Sequence, residues 1–357
     1  MFSSVRLSVA RKRRQLTKKA LAERSGISQV TLTRIETGQT QDPGEETVAA
    51  LAGALSYPPG FFFMEDCDEL PATAVSFRSL TTLTARQRDA ALSAGVIAFL
   101  LDDWVTERFN LPQPDLIDLR DEDPVAAASA LRRHWGIGSK PIPHVIKLLE
   151  AKGVRIFSLA ENNKNVDAFS CWRNEVPYIF LNTFKSAERT RFDAAHELGH
   201  LVLHVHGEPS GREVEREADQ FSSAFLVPRD DFVSHVPRVR SLDQLISSKE
   251  RWGVSVAALA RTAFDTGVIS DWYYRDLCKH ISFRGYRTCE PQPRMREESV
   301  LWKKVFESLW MDRLTMDHVA EQLGLPYDEV YSLIRGLLGG GDLDQTGEPI
   351  SPVLRVV

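Results

Sequence analysis

The chain has 357 residues, a formal net charge of −5, 43% hydrophobic residues and 26% charged residues, a balance that fits an ordinary soluble protein of two or three domains. No apolar run approaches the ~18 residues that span a bilayer. The N-terminus lacks a signal-peptide core, and the four cysteines show neither metal nor disulfide spacing. These features argue against a membrane or secreted protein, and we expect a cytoplasmic one.

Positive charge is concentrated at the N-terminus. Residues 1–35 contain nine Lys or Arg and a single acid, as expected of a surface that contacts phosphates. The pattern predicts two short helices, with Thr17 capping the first, Gly26 making the turn and Ser28 capping the second, which ends before Gly38. The residues expected to lock the two helices together are Leu21, Ile27, Leu32 and Ile35.

The second of these helices is predicted to direct Gln29, Thr33 and Arg34 outward. Gln can pair with adenine and Arg with guanine in a major groove. The alternative is a basic helical bundle that binds no DNA. The turn glycine, the two caps and the charge favour DNA binding.

The next segments predict further helices around a linker. Residues 45–63 are expected to complete the N-terminal bundle, and residues 67–84 to form a linker with a strand-like stretch at 74–78. Apolar residues then recur at helical spacing from about 85 to 109. This helix either dimerises the protein or packs within the chain, and we favour packing within the chain.

The segment His196-Glu197-Leu198-Gly199-His200 is the most informative about chemistry. Three predicted strands precede it, at 154–157, 168–172 and 178–181. On a helix, positions i and i+4 share a face, so His196 and His200 can point their imidazoles at one metal ion. Glu197 lies one residue off that face, where it can take a proton from a metal-activated water without being a ligand. The pattern predicts a zinc hydrolase.

A zinc hydrolase of this kind needs a third protein ligand and an open position for water. His206 has the spacing used by metzincins, but those enzymes bend the chain at a glycine where this chain has Leu203. On the helix predicted for residues 215–225, Glu215 shares the packed face with small and apolar residues. We therefore favour Glu215 over His206 as the third ligand.

Other polar residues lie near this predicted site. Asp219, one turn further along the second helix, is placed to accept the second N–H of a ligand histidine. Glu213 and Glu217 fall on another face and are expected to be solvated. For His204 and His206 we favour a role as polar residues at a helix end over one in stabilising the transition state.

The C-terminal part is predicted to be helical. An amphipathic helix is expected from Trp252 to Phe264, and residues 314–338 imitate a second helix-turn-helix. However, residues 311–338 contain five acids and two arginines, a balance that phosphates would repel. We therefore interpret this segment as a helical module for packing or for interaction.

Residues 1–66 resemble a helix-turn-helix domain of the XRE family, the lambda-repressor-like Cro/C1 type. The resemblance implies an ion pair between Arg11 in the first helix and Glu36 at the end of the recognition helix. It implies that bases are read from three positions, Gln29, Val30 and Arg34. The family often has Gln at the start of its second helix, where this chain has Lys18, a point charge for phosphate. The predicted DNA contacts are Lys18, Ser28, Gln29, Val30, Thr33 and Arg34.

Residues 126–275 resemble the ImmA/IrrE family of metallopeptidases, and a helix-turn-helix ahead of such a domain is a recurring arrangement. The matching stretches are residues 141–154, 166–170, 177–182, 191–200 and 215–228. The resemblance implies that His196, His200 and Glu215 are zinc ligands and that Glu197 is the catalytic base. It implies a multidomain, mainly α protein in which an α+β, zincin-like peptidase domain follows an all-α N-terminal domain.

We predict four regions: a helix-turn-helix domain at 1–66, a linker and helical region at 67–125, a zinc metallopeptidase domain at 126–275 and a C-terminal helical module at 276–357. Family members with stand-alone peptidases cleave a helix-turn-helix repressor during stress or mobile-element induction. The leading hypothesis is therefore a DNA-binding regulator with a zinc endopeptidase domain, whose substrate is another repressor or the chain itself.

Two alternatives remain open. One is a non-proteolytic repressor whose second domain senses a ligand or partner, although an intact Glu197 leans against it. The other is the antitoxin of a toxin–antitoxin pair. In all three cases the chain binds a double-stranded DNA operator, and we expect a homodimer because Cro-type repressors read two half-sites.

Overall fold

The computed structural model describes residues 1–77, 84–159, 168–204 and 211–339. Helices make up most of this part of the chain, and four short strands form one sheet. The expected fold class is confirmed: an all-α N-terminal domain precedes an α+β domain in a mainly helical protein. None of the described helices is long and apolar enough to cross a membrane.

Four helices form the N-terminal bundle: α1 (Ser4–Arg13), α2 (Lys18–Ser25), α3 (Gln29–Glu36) and α4 (Glu45–Leu55). The Thr17 hydroxyl accepts a hydrogen bond from the N–H of Ala20, and the Ser28 hydroxyl accepts one from Thr31, so both predicted caps are confirmed. Gly26 ends α2 with a φ of 71°, a left-handed conformation that favours glycine. The buried stripe of α4 consists of Val48, Leu51, Ala52, Ala54 and Leu55.

A linker and a long helix follow the bundle. Strand β1 (Ser76–Phe77) forms within the linker, inside the predicted strand-like stretch, whose last residue lies outside the described residues. Helix α5 (Ala85–Thr106) begins at a capping box made by Thr84 and Gln87. Along its length α5 packs against α1 and against the sheet of the second domain, so it ties the two together.

The second domain contains α6 (Pro124–His134), α7 (Val145–Ala151), β2 (Arg155–Ser158), β3 (Phe169–Arg173) and β4 (Val176–Leu181). The strand order is β1-β3-β4-β2, in which β2 and β4 are parallel and the other neighbours are antiparallel. Asn174 and Glu175 join β3 to β4 with φ values of 50° and 63°, the two positive angles of a tight type I′ hairpin. The three predicted strands are confirmed, with ends that differ by one or two residues.

Aromatic side chains fill the space between α5 and the sheet. The ring centroids of Phe99 and Tyr178 are 4.8 Å apart, and those of Phe169 and Phe180 are 4.4 Å apart. A Cβ at Gly95 of α5 would make ordinary contacts of 3.6 Å with the rings of Phe169 and Phe180 but would lie only 2.7 Å from Cδ2 of Leu70, so this glycine makes room for the linker. The prediction that this helix packs within the chain is therefore confirmed.

Helices α8 (Ala187–Leu203) and α9 (Arg212–Leu226) pack against each other, and α8 also contacts β3 and β4. The helices that follow are α10 (Arg229–His235), α11 (Leu242–Trp252), α12 (Val256–Asp265) and α13 (Asp271–Phe283). The amphipathic helix expected from Trp252 to Phe264 is present as α12, but it begins four residues later than predicted. Gly253 ends α11 with a φ of 64°, and Ser255 caps α12 by accepting from the N–H of Ala258.

The C-terminal helices are α14 (Val300–Met311), α15 (Met316–Gln322) and α16 (Tyr327–Ser332). They contact both domains. On one side, the buried Glu329 carboxylate pairs with Arg13 of α1 at 2.7 Å. On the other, the Ser158 N–H at the end of β2 donates to the Leu333 carbonyl at 2.7 Å. Two acids of this segment, Asp328 and Glu329, therefore pair with arginines at the end of α1 of the same chain, in agreement with a packing role.

Candidate metal centre and nucleic-acid interface

Helix α8 carries the two histidines of the predicted metal site. It begins at Ser186, whose hydroxyl accepts from the N–H of Arg189, and nearly all of its side chains are buried. His196 and His200 are 1% and 3% exposed. Because they are four residues apart, both imidazoles lie on one face of α8, and this face is turned toward α9.

Glu215 of α9 meets the two imidazoles. The Nε2 atoms of His196 and His200 are 3.1 Å apart, and the Glu215 carboxylate oxygens lie 3.3 Å from the first and 3.6 Å from the second. One ligand atom from each residue falls within 4.8 Å of the others. This set of two imidazoles and a carboxylate is one that Zn²⁺ prefers.

Two observations test whether these residues fit a metal ion. Glu215 Oε2 is buried, and no described residue gives it a hydrogen bond. The two Nε2 atoms face each other at a distance at which only one proton fits between them. A divalent cation bound by all three residues would satisfy the carboxylate oxygen and both nitrogen lone pairs, so the donor set fits a metal.

Asp219 holds the other side of His196. Its Oδ1 lies 3.0 Å from His196 Nδ1, close enough to accept that N–H and to leave the Nε2 lone pair directed at Glu215. Burial alone lowers the pKa of His196, but the neighbouring carboxylates of Asp219 and Glu215 outweigh it and raise the pKa to about 9. The surroundings therefore favour a positive charge at this position.

His200 is held by a second chain of side chains. Its Nδ1 lies 3.2 Å from Nδ1 of His204, and His204 Nε2 lies 2.9 Å from a carboxylate oxygen of Glu217. Glu217, which we expected to be solvated, is 34% exposed and in addition pairs with His204, because its face of α9 meets the last turn of α8. The i, i+4 spacing of His200 and His204 is the sequence signal that could have predicted this contact. His206 lies outside the described residues.

Glu197 points toward the sheet. It is 1% exposed, and the Ser170 hydroxyl of β3 donates to its Oε2 at 2.7 Å. A hydroxyl that binds one carboxylate oxygen fixes the orientation of the carboxylate that would handle a proton. Sequence reasoning missed Ser170, since nothing in the strand pattern distinguishes it from a core serine.

Tight packing between α8 and α9 sets the distance between these ligands. Gly199 lies between the histidines, and a Cβ there would be 3.0 Å from Cδ1 of Phe221 and 3.4 Å from Cα of Ala218. The packed stripe of α9, with Ala218, Ser222 and Phe225 fully buried, is the one expected from the sequence.

The predicted DNA-reading residues lie together on α3 and next to it. Gln29, Val30, Thr33 and Arg34 are all exposed, and Val30 is 62% exposed. An exposed valine on a helix is suited to contact a thymine methyl group. The C-terminal helices bind α1 and leave this face of α3 open to solvent.

The remaining two predicted contacts are engaged within the domain. The Ser28 hydroxyl accepts from the N–H of Thr31 at 3.0 Å. Glu36, whose side chain is 3% exposed, pairs with Arg11 at 2.5 Å, as the resemblance implies, and with Lys18 at 3.0 Å. The Lys18 side chain is 40% exposed, so it reaches the surface while paired.

Comparison with known families finds two matches in the chain. The family described as helix-turn-helix matches residues 7–62, and the peptidase family described as IrrE N-terminal-like domain matches residues 149–264. No curated protein matches the chain. The first match contains all the predicted DNA contacts, and the second contains His196, Glu197, His200 and Glu215. The two matches confirm the predicted fusion.

Proposed function

We propose that this chain, which belongs to the proteins that join a helix-turn-helix domain to an IrrE N-terminal-like peptidase domain, is a DNA-binding transcription regulator with a zinc-dependent endopeptidase centre. The observation that carries the proposal is the convergence of His196, His200 and Glu215 within 4.8 Å, with the buried Glu197 beside them. A domain that only sensed a ligand would have no need of a positioned base.

In the proposed hydrolysis, His196, His200 and Glu215 hold the zinc ion. When bound, zinc supplies a Lewis acid that polarises the scissile carbonyl and makes water more acidic. Glu197 takes the proton of the attacking water and passes it to the leaving amine. Ser170 keeps the Glu197 carboxylate in one orientation, while Asp219 and His204 orient the two imidazoles.

The substrate class and the biological setting follow from the resemblance to the ImmA/IrrE family. We propose that the centre cleaves a helix-turn-helix repressor, either another protein or this chain, in response to stress or mobile-element signals. For the N-terminal domain we propose a homodimer that reads two operator half-sites. Gln29, Val30, Thr33 and Arg34 then face the major groove, and Lys18 and Ser28 face phosphates.

The direct test is hydrolysis by the zinc-loaded protein and by Glu197→Gln, with a quenched fluorescent repressor or unfolded polypeptide as substrate. We expect the variant to keep its zinc and to lose at least about a hundredfold in rate, because proton transfer by a positioned base contributes that much. A variant that cuts as fast as the wild type would contradict the proposal.

A second candidate function is a non-proteolytic sensor, and one observation favours it. A cavity of about 910 Å³ lies between α8, α9 and α12 and is lined by Asp219, the residue that holds His196. A small molecule in this cavity would contact Asp219 and could therefore affect His196 of the proposed metal centre. If Glu197→Gln regulates its operator as the wild type does, the sensor function is the correct one.

A further inference from the structure

The outer edge of β3 is covered by the linker between the two domains. Ser76 lies opposite Ser170 and Phe77 opposite Phe169 in an antiparallel pair. The inner edge of β3 pairs with β4. Without Ser76 and Phe77, β3 would present unpaired backbone groups at the end of the sheet, an arrangement that accepts a further extended chain.

This edge lies beside the proposed peptidase centre. Ser170 is the residue whose hydroxyl binds Glu197, and two residues further along β3 the indole N–H of Trp172 donates to the Leu201 carbonyl of α8 at 3.2 Å. Strand β3 therefore lies alongside α8 near Glu197, the proposed base. A chain paired with β3 lies about 4.8 Å from it, so such a chain passes close to Glu197.

Side chains on both sides of the linker hold it in place. Asp68 pairs with Arg173 at 2.7 Å, and Arg173 is the last residue of β3. Leu70 packs against Gly95 of α5, and Val75 is 1% exposed. The linker therefore contacts both ends of β3: Asp68 binds its last residue, and Ser76 and Phe77 pair antiparallel with its first two, with a short 3-10 turn at Ala72–Ala74 between them.

Peptidases and peptide-binding domains commonly hold an extended chain by adding it as a strand to a sheet edge. We propose that the linker segment Val75–Phe77 occupies the edge of β3 on which the peptidase centre binds polypeptides, so that a substrate enters only after this segment leaves. The inference rests on the proposed peptidase function. The occupant is the protein's own chain, and the intended substrate is an extended polypeptide of another molecule.

The test uses two variants that release the linker, in the full zinc-loaded chain with Glu197→Gln to prevent hydrolysis. Asp68→Ala removes the ion pair with Arg173, and Val75→Asp places a charge at a buried position. Glu69→Ala is the matched control, since Glu69 is the exposed neighbour of Asp68. Circular dichroism and zinc content establish that each variant is folded.

Deuterium uptake of the β3 amides is the first readout. Asp68→Ala should raise the exchange rate about two- to fivefold, the effect of losing one partly exposed ion pair. Val75→Asp should raise it more than about tenfold, because a buried unpaired charge forces the segment out. Unchanged uptake in both variants, or an equal rise in Glu69→Ala, would overturn the proposal.

Binding of a fluorescent peptide with the sequence of residues 68–77 is the second readout. The peptide should bind Val75→Asp at least about tenfold more tightly than the Glu197→Gln parent, in which the edge is taken. Equal binding to parent and variant would contradict the proposal that the linker occupies the edge of β3. Cleavage of the zinc-loaded wild type within its own linker, seen as a loss of intact mass, would also overturn it, since the segment would then be a substrate.

Neither readout depends on hydrolysis, so the two proposals can fail separately. If β3 opens in the variants but no zinc-loaded form with Glu197 cleaves any polypeptide, the peptidase function is wrong and the occupied edge stands. If the wild type cleaves a polypeptide while β3 exchanges equally in all forms, the function stands and the inference is wrong.

Discussion

Each candidate histidine ligand is oriented by a carboxylate on α9, but in different ways. Asp219 contacts His196 directly at 3.0 Å, whereas Glu217 acts on His200 through His204. In both arrangements a partner binds Nδ1 of the ligand imidazole, and this contact keeps its Nε2 atom directed toward Glu215. The ligand geometry therefore depends on residues that do not touch the ion.

Glu217→Ala tests this second chain of contacts. His204 would lose its carboxylate partner and hold the His200 ring less firmly, so zinc affinity should fall about tenfold, the low end of what outer partners contribute. Glu213→Ala is the control, because Glu213 is two-thirds exposed and pairs only with Arg216 among the described contacts. Competition with a chromogenic chelator measures both affinities. Equal affinities in the two variants would show that His204 needs no partner.

At the scale of elements, the centre depends on how closely α8 approaches α9. Gly199 permits that approach because it places no Cβ against Phe221. Gly53 of α4 offers a comparison, since nothing lies within 4 Å of a Cβ built there. The two helical glycines therefore have opposite roles: one sets a packing distance, and the other only weakens its helix.

Gly199→Ala should destabilise the protein and weaken its zinc site. Overpacking costs about 1–3 kcal/mol, whereas replacing glycine in a helix by alanine contributes at most about 1 kcal/mol, so the free energy of unfolding should fall by up to about 2 kcal/mol. Gly53→Ala should raise it by about 0.5–1 kcal/mol. Urea unfolding measures both. A Gly199→Ala protein with unchanged stability and zinc affinity would show that the helix distance is not limiting.

Local signals predicted most of these elements. The caps Thr17 and Ser28, the turn at Gly26 and the i, i+4 histidines depend on neighbours in sequence, and all are where the pattern places them. Ser170 beside Glu197 could not be predicted, because that contact joins residues 27 positions apart. The pairing of β1 with β3 joins residues even further apart. The start of the helix predicted from Trp252 was placed too early, because the apolar period continues through Gly253, the glycine that ends α11.

At the scale of the whole molecule, the C-terminal helices link the DNA-binding domain to the peptidase-like domain. Glu329 accepts from the Tyr57 hydroxyl at 3.1 Å and pairs with Arg13 and Arg14 at 2.7 and 3.0 Å. Burial is the main cause that raises the pKa of Tyr57, and Glu329 adds to it. One buried carboxylate therefore joins α16 to Arg13, the last residue of α1, and to Arg14, which caps that helix.

Glu329→Gln should loosen the N-terminal domain. Gln keeps the size of the side chain but not its charge, so Arg13 and Arg14 lose their shared partner. We expect the free energy of unfolding to fall by about 1–3 kcal/mol, because a neutral amide weakens the charge-assisted hydrogen bonds that the Glu329 carboxylate accepts. Glu321→Gln, at an exposed position of α15, is the control. Limited proteolysis of the linker should accelerate only in Glu329→Gln, and equal cleavage of both would contradict the link.

The central claim is that the second domain of this DNA-binding protein contains a zinc-binding centre formed by His196, His200 and Glu215. Its most direct test is the zinc content per chain, by plasma mass spectrometry, of wild type and Glu215→Ala purified without added metal. The account predicts about one zinc per wild-type chain, as expected for a three-ligand site, and little in the variant. A wild-type chain without tightly held zinc, or a variant that keeps it, would contradict the account.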